Sequence, residues 1–364
     1  MTLDQHPGHD RLSEKAVLHL ATEGDFLSLA DLANSHAKKL HGHRIAYLID
    51  CNINYTNICR TQCAFCAFSR PKGHTEAWEL SKDELDKKIQ NAKTRGSQRV
   101  LLQGGMHPDH TLTDYEQLVA HIKQTHHIHV HAFSPPEIHF IAEKSGVTTK
   151  HVLERLISAG LDSLPGGGAE ILVDDVRQKI SPLKCTANEW IDVMRVAHKL
   201  GLKTTATMMF GHIETWQDRI NHLQKLRDLQ DDTGGFISFI PWTFQAQNTR
   251  LSQSGLLPRT WRPASAQEYL RVIAISRLFL DNIDHLQASL LTQGLGIAQL
   301  ALTFGADDIG SVMLEEQVVS SAGCSAHKEI TKDEIVRAII ASGHEPYERD
   351  TEYRISNKEH RMSK

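Results

Sequence analysis

The chain has 364 residues, with 40 Lys and Arg against 44 Asp and Glu, a formal charge of −4 and 40% hydrophobic residues. Such a composition can bury a large core and excludes a disordered or collagen-like chain. The near-neutral balance lacks the basic stripe of a nucleic-acid binder, and no run approaches the ~18 apolar residues of a membrane span. The polar stretch Met1 to Glu14 has no apolar signal core, which sets the expectation of a cytoplasmic protein with no membrane insertion.

Residues 11–41 read as a helical N-terminal extension, with Leu18, Leu20, Leu27, Leu29, Leu32 and Leu40 spaced among charges. Strand-like and helix-like segments then alternate. Strands are expected at 44–50, 99–103, 128–133, 161–165, 203–210, 235–240, 285–290 and about 307–313. Helices are expected near 81–95, 112–126, 148–159, 186–200, 215–232, 265–281, 294–303 and 332–342. Ser81 to Glu84 and Thr186 to Glu189 are capping boxes, and Gly96, Gly160 and Gly201 each stop a helix before a strand. Eight strands in this alternation close naturally into an α/β fold of the (β/α)8 TIM-barrel type. The expected division is 1–41 as extension, 42–320 as catalytic barrel, and 321–364 as a C-terminal extension with one helix and a polar tail.

In such a barrel the functional loops follow the strands' C-terminal ends, and the chain's unusual residues fall there. Gln103, Gly104 and Gly105 follow the second strand, and Ser134-Pro-Pro-Glu137 the third. Gly166-Gly-Gly-Ala-Glu170 follows the fourth, Gly211-His212-Ile-Glu214 the fifth, Pro241-Trp242-Thr-Phe-Gln245 the sixth, and Thr292-Gln293 the seventh. After the first strand comes Cys59-Arg-Thr-Gln-Cys63-Ala-Phe-Cys66, three of the chain's six cysteines within eight residues. A structural zinc site ordinarily takes four ligands from two paired hooks, and there is no second hook here. Three thiolates on one loop suit an iron–sulfur cluster with one iron left open. Cys51, Cys185 and Cys324 read as incidental thiols. Most of the 23 histidines, His41, His43, His126, His127, His129 and His131 among them, read as solvated or packed side chains.

The spacing Cys-x3-Cys-x2-Cys, with Phe65 before the last cysteine, resembles the radical S-adenosylmethionine superfamily. Longer stretches narrow the resemblance: Asn54 to Cys59, His131 to Ile138, Leu164 to Leu172, Thr205 to His212 and Ile240 to Gln245 look like the cyclic dehypoxanthinyl futalosine synthase family of the futalosine route to menaquinone. The Pro-Pro-Glu and Gly-Gly-Gly-Ala-Glu stretches are shared more loosely with aminofutalosine synthases and the deazaflavin-cofactor synthases. The combination with Thr-Met-Met-Phe-Gly-His and Pro-Trp-Thr-Phe-Gln points to the cyclase.

The resemblance implies a [4Fe-4S] cluster on Cys59, Cys63 and Cys66, with S-adenosylmethionine on its open iron. Phe65, Gln103, Gly104, Gly105, Glu170 and Lys184 become cofactor-binding candidates. Arg177 is a weaker one, reading more readily as part of a solvated helix face. A 5′-deoxyadenosyl radical then takes a hydrogen from the ribose of dehypoxanthine futalosine. The carbon radical adds to the benzoate ring, and the adduct loses a proton and an electron. Glu137, Glu170, His212 and Glu214 are the candidates for the base or for sugar binding. Trp242, Gln245, Thr292 and Gln293 are candidates to line the benzoate pocket, with Met208, Met209 and Phe210 as strand core. A low-potential donor such as flavodoxin or ferredoxin is the implied partner. The competing readings are a sister enzyme with another substrate, or a non-catalytic iron–sulfur protein.

Overall fold

Apolar β-rich runs between amphipathic helices bury best as a parallel sheet wrapped by its own crossover helices, and the computed structural model shows this arrangement. It describes residues 11–324 and 330–356. The first ten residues and the tail from 357 onward, assigned above to the extensions, lie outside the described residues.

The strands are β1 (Arg44–Asp50), β2 (Asn52–Ile53), β3 (Arg99–Leu102), β4 (His129–Ala132), β5 (Ser163–Leu164), β6 (Lys203–Phe210), β7 (Phe236–Thr243), β8 (His285–Leu286), β9 (Asp308–Met313) and β10 (Glu345–Glu348). β2 to β8 form one parallel sheet in sequence order, and β1 pairs in parallel with β9. β1 and β2 are one run interrupted at Cys51, and a parallel bridge from Gln287 to Asp308 joins β8 to β9. The ring therefore closes with eight staves.

The helices expected at 112–126, 148–159 and 186–200 form at Leu112–His126, Thr149–Ala159 and Ala187–Lys199. Both expected capping boxes form, and Gly96, Gly160 and Gly201 take φ of +97°, +111° and +86°. The N-terminal extension is two helices, Glu14–Glu23 and Phe26–His41, split where Asp25 caps the second. They pack on Trp216–Thr233 and Ala266–Phe279.

Several elements were not anticipated. Pro135–Ser145 and Asp174–Ile180 are helices rather than loop, and single helical turns form at Arg250–Gln253 and Val318–Ser321. Another is β10, which pairs with the first half of β1. Arg349 N–H donates to Tyr47 O on the edge of β1 that offers Cys51 O to Leu101 of β3 further along. β10 thus fills the lower part of the edge whose upper part β3 takes. Arg349 reaches on across the barrel's lower end, donating to Asp308 at 2.7 Å and Gln287 at 3.1 Å.

Candidate active site

The cysteine loop is held by its own preceding residues. Asn54 Nδ2 donates to Gln103 O, Thr56 Oγ1 to Trp78 O, and Asn57 pairs with the backbone of Glu76 and Trp78. Gly105 N–H donates to Thr56 O, and a Cβ there would lie 2.2 Å from Ile58 O. Only glycine lets the loop after β3 approach the cysteine loop so closely. Arg70 donates to three successive carbonyls, Ala67, Phe68 and Ser69, fixing the turn beyond Cys66.

Cys59 Sγ lies 3.1 Å and Cys63 Sγ 3.6 Å from one hydroxyl, Thr61 Oγ1. All three thiols are free; Cys59 and Cys63 are buried, and Cys66 is partly covered. Burial pushes the Cys63 thiol up to about 11 and raises Cys66 as well. Three thiolates on one largely buried loop need a multivalent cation to offset their charge, and iron in a cluster supplies it. The donor set fits a [4Fe-4S] cluster held by Cys59, Cys63 and Cys66.

Glu137 joins two of the loops. Its Oε1 accepts from Tyr55 OH at 2.7 Å and Gly104 N–H at 3.1 Å; its Oε2 accepts from Ser134 N–H at 2.7 Å and Ser134 Oγ at 2.6 Å. Burial raises its pKa even against these donors. With four bonds made, this carboxylate orients the Gly104 peptide and caps Pro135–Ser145.

The glycine loop after β5 packs against backbone and short side chains. A Cβ at Gly166 would meet Thr205 O at 2.4 Å, and one at Gly167 would meet Gln103 Nε2 at 2.3 Å. Glu170 is buried with φ +45°; Phe133 and Gln62, also in site loops, take +57° and +41°. Non-glycine residues held in the left-handed region mark backbone kept under strain by its surroundings. Lys184 Nζ donates to Glu170 Oε1 at 2.5 Å and lies 5.2 Å from the centre of the Phe65 ring. Burial would lower Lys184, but Glu170 and Cys63 outweigh it and hold the ammonium above its ordinary range. Glu170, Lys184, Phe65 and the cysteines thus form one cluster. Arg177 is not on a solvated face: it is 2% exposed, and its guanidinium donates to the carbonyls of Gly168, Ala169 and Cys185, bracing the same loop.

The loop after β6 is self-satisfied. Glu214 accepts from Gly211 and His212 N–H and from Arg219. Burial would raise it, but Arg219 and the Gly211 and His212 N–H donors hold it below the usual carboxylate range. His212 Nδ1 accepts from Ile213 N–H at 2.8 Å and Nε2 lies 3.2 Å from Met209 O, which fixes a buried neutral ring.

A cavity of about 1200 Å³, counted with its open mouth, runs down the barrel. Gln103, Trp242 and Thr292 line it. Gln245 and Gln293 instead donate to Thr243, and Met208, Met209 and Phe210 are core. Deeper down lie Asn52, Arg99, His131, Ser238, Gln287 and Arg349. His131 is 2% exposed and inside the barrel. The strict alternation of His129 and His131 with Val130 and Ala132 on a central strand was the signal for that position.

Three free cysteines, two of them buried, on the loop after the first stave, at the carboxyl-end rim of a parallel barrel, define a radical S-adenosylmethionine enzyme, and residues 53–226 match the family described as the radical SAM superfamily. The cofactors are accordingly a [4Fe-4S] cluster and S-adenosylmethionine. Within that superfamily the chain belongs to the family that joins cyclic dehypoxanthine futalosine synthase with its sister enzymes. Residues 233–362 match the CofH/MqnC C-terminal region. The chain is 41% identical to the cyclic dehypoxanthine futalosine synthase of Halalkalibacterium halodurans, over 97% of this chain and 94% of that one. It is 38% identical to a 5-amino-6-(D-ribitylamino)uracil–L-tyrosine 4-hydroxyphenyl transferase of Methanococcoides burtonii, over 95% and 98% of the two chains. It is 37% identical to the aminodeoxyfutalosine synthase of Thermus thermophilus, over 94% and 92%. The crystal structure of methylornithine synthase shares the fold, with a TM-score of 0.70 at 18% identity over 93% of this chain and 94% of that one. Among the described residues no helix is long and apolar enough to cross a membrane.

Proposed function

We propose that this enzyme cyclises dehypoxanthine futalosine to cyclic dehypoxanthine futalosine in menaquinone biosynthesis. The observation that carries the reading is the placement of the two stretches that point to the cyclase. Thr205 to His212 and Ile240 to Gln245 lie on β6 and β7 and in the loops beyond them. The strands pair Met208 with Pro241, Met209 with Trp242 and Phe210 with Thr243. They therefore form one wall, and Thr205, Thr207, Ile240 and Trp242 face the cavity from it. Substrate choice belongs to such a wall, since the cluster loop is common to the superfamily.

When bound, the cluster and S-adenosylmethionine supply the 5′-deoxyadenosyl radical that takes a hydrogen from the substrate ribose. The chain's part is to bind, aim and keep dry. Cys59, Cys63 and Cys66 hold the cluster. Phe65, Gln103, Gly104, Gly105 and Lys184 form the cofactor side of the rim, with Glu137 setting the Gly104 peptide. Of the four rim candidates for base or sugar ligand, Glu137, His212 and Glu214 already have both of their polar atoms engaged. Glu170 keeps Oε2 without a protein partner among the described residues. We assign it the ribose hydroxyls or the proton lost on ring closure. The wall of Leu101, Ile240, Leu290 and Trp242 receives the aromatic ring.

Residues 42–320 are taken as the catalytic barrel, with 1–41 and 321–364 as its extensions. The cluster thiolates call for a reducing, cytoplasmic setting, and the electron for a flavodoxin or ferredoxin. Anaerobic reconstitution followed by mass spectrometry with dehypoxanthine futalosine tests the reading. A product two hydrogens lighter supports it. No conversion by a fully loaded enzyme, together with turnover of a sister enzyme's substrate, overturns it.

A further inference from the structure

We infer that His131, at mid-height in the barrel, anchors a carboxylate on the aromatic half of the substrate, with Arg99 one layer below as the second donor. The inference rests on the cyclase reading above and deepens it by assigning the acid group a place.

His131 faces the cavity, and its Nδ1 lies 2.7 Å from Ser163 Oγ, which is also 2.7 Å from His129 Nε2. His131 Nε2 has no protein partner among the described residues. One hydroxyl between two rings has a single proton to give. When His129 donates to Ser163 and Ser163 donates to His131 Nδ1, the remaining proton of His131 sits on Nε2 and points at the cavity. An anion against Nε2 selects that arrangement. The groups around the ring are Arg99 from β3, His129 on its own strand and Arg349 from the segment after β10. Burial first, and then these groups, hold the ring well below its ordinary pKa, so without an anion it is neutral.

Arg99 spends Nε and Nη2 on Asp50 and leaves Nη1 only a long 3.5 Å contact with Thr351 Oγ1. Two further polar atoms of cavity-lining residues, Asn52 Oδ1 and Ser238 Oγ, have no protein partner. A buried wall with this many unmet polar groups is built for a polar ligand. The position of the unspent donors sets the ligand's direction. His131 Nε2 and Arg99 Nη1 lie deep, whereas the rim cations Lys184 and Arg219 are already paired with Glu170 and Glu214. An acid therefore enters carboxylate first, leaving its sugar at the rim near the cysteines. Leu101 pairs with His131, and Gln103 is two residues nearer the rim, about 6.6 Å at the usual strand rise. That layer, lined by Leu101, Ile240 and Leu290, takes the ring.

The test compares dehypoxanthine futalosine with its carboxamide analogue on reconstituted holoenzyme, using wild type, His131→Leu and His131→Gln, each checked for iron content. A charge-assisted hydrogen bond corresponds to roughly a tenfold to hundredfold change in affinity. Wild type should show KM higher by that factor for the carboxamide, with kcat changed less than about threefold. His131→Leu should raise KM for the acid about tenfold or more and abolish most of the discrimination between the two. His131→Gln, which keeps a donor, should recover part of it. An equal rise in KM for both compounds would mean that His131 is merely structural. Wild-type enzyme that cyclises acid and carboxamide with equal KM overturns the anchor while leaving the cyclase reading intact, even if the Leu variant fails to fold. Wild type that cyclises neither compound refutes the cyclase reading and the anchor with it.

Discussion

Glu137→Gln removes a charge and almost no volume, so it isolates what the carboxylate does. In the native protein Oε1 serves Tyr55 and Gly104 and Oε2 serves Ser134 twice, on a side chain that is 2% exposed. Glutamine keeps one oxygen and replaces the other with an NH2 donor. In one orientation that donor meets the Ser134 N–H, and in the other the Gly104 N–H. Either way a buried backbone donor loses its acceptor, at a cost of roughly 1–3 kcal/mol. The remaining bonds lose their charge assistance, and the helix Pro135–Ser145 loses part of its cap, worth about 1 kcal/mol. Allowing for overlap, the loss should be about 2–4 kcal/mol at neutral pH. Burial raises the carboxyl's pKa, so the folded wild type takes up a proton at a higher pH than the unfolded chain does, and its lead over the glutamine variant, which does not titrate, should widen as pH falls through that range. Anaerobic urea unfolding of the reconstituted protein measures the difference. The KM for S-adenosylmethionine, which should rise as the Gly104 peptide is freed, reports the local effect. A change below about 0.5 kcal/mol with KM unmoved would refute the clamp.

Other outcomes follow from the same geometry. Alanine at Cys59, Cys63 or Cys66 should abolish iron binding and turnover, whereas Cys185→Ala and Cys324→Ala should keep both; iron and sulfide analysis decides. Gly105→Ala places a Cβ 2.2 Å from Ile58 O, next to Cys59, and should cut iron content sharply in a protein whose far-ultraviolet circular dichroism is unchanged. His198 and His222 are buried and neutral, lowered to about 4 and about 3 chiefly by desolvation. Between pH 6.5 and about 4 the unfolded chain therefore binds more protons than the folded one, and stability should fall over that window and be flat for these groups above it. A urea midpoint unchanged between pH 7 and pH 5 would contradict this.

Most of the barrel was legible because its strands are buried apolar runs bounded by glycine and caps. β6 begins and ends at the residues the pattern indicates, and β1 does likewise. β10 was not, because Glu345-Pro-Tyr-Glu348 has no apolar alternation; its place is decided by an edge of β1 that β3 leaves open. The helix Pro135–Ser145 could have been read, since Ser134 and Glu137 with proline at the start make a capping box. At the site the cysteines announced themselves by spacing. The rim carboxylates did not reveal their duties, because Glu137 and Glu214 owe theirs to partners distant or hidden in the fold, Tyr55 and Arg219 among them. Arg177 looked like a surface residue because nothing local shows three carbonyls converging on it, and His131 looked ordinary among 23 histidines until the barrel turned it inward.

Ring closure requires that the adenosyl radical abstract a hydrogen from the substrate and leave, rather than join the product. Adenosyl-labelled S-adenosylmethionine given with dehypoxanthine futalosine to the anaerobic holoenzyme tests it most directly. Label should appear in 5′-deoxyadenosine beside an unlabelled product two hydrogens lighter than the substrate. Label carried into a nucleoside–benzoate product, with dehypoxanthine futalosine left uncyclised, would contradict it.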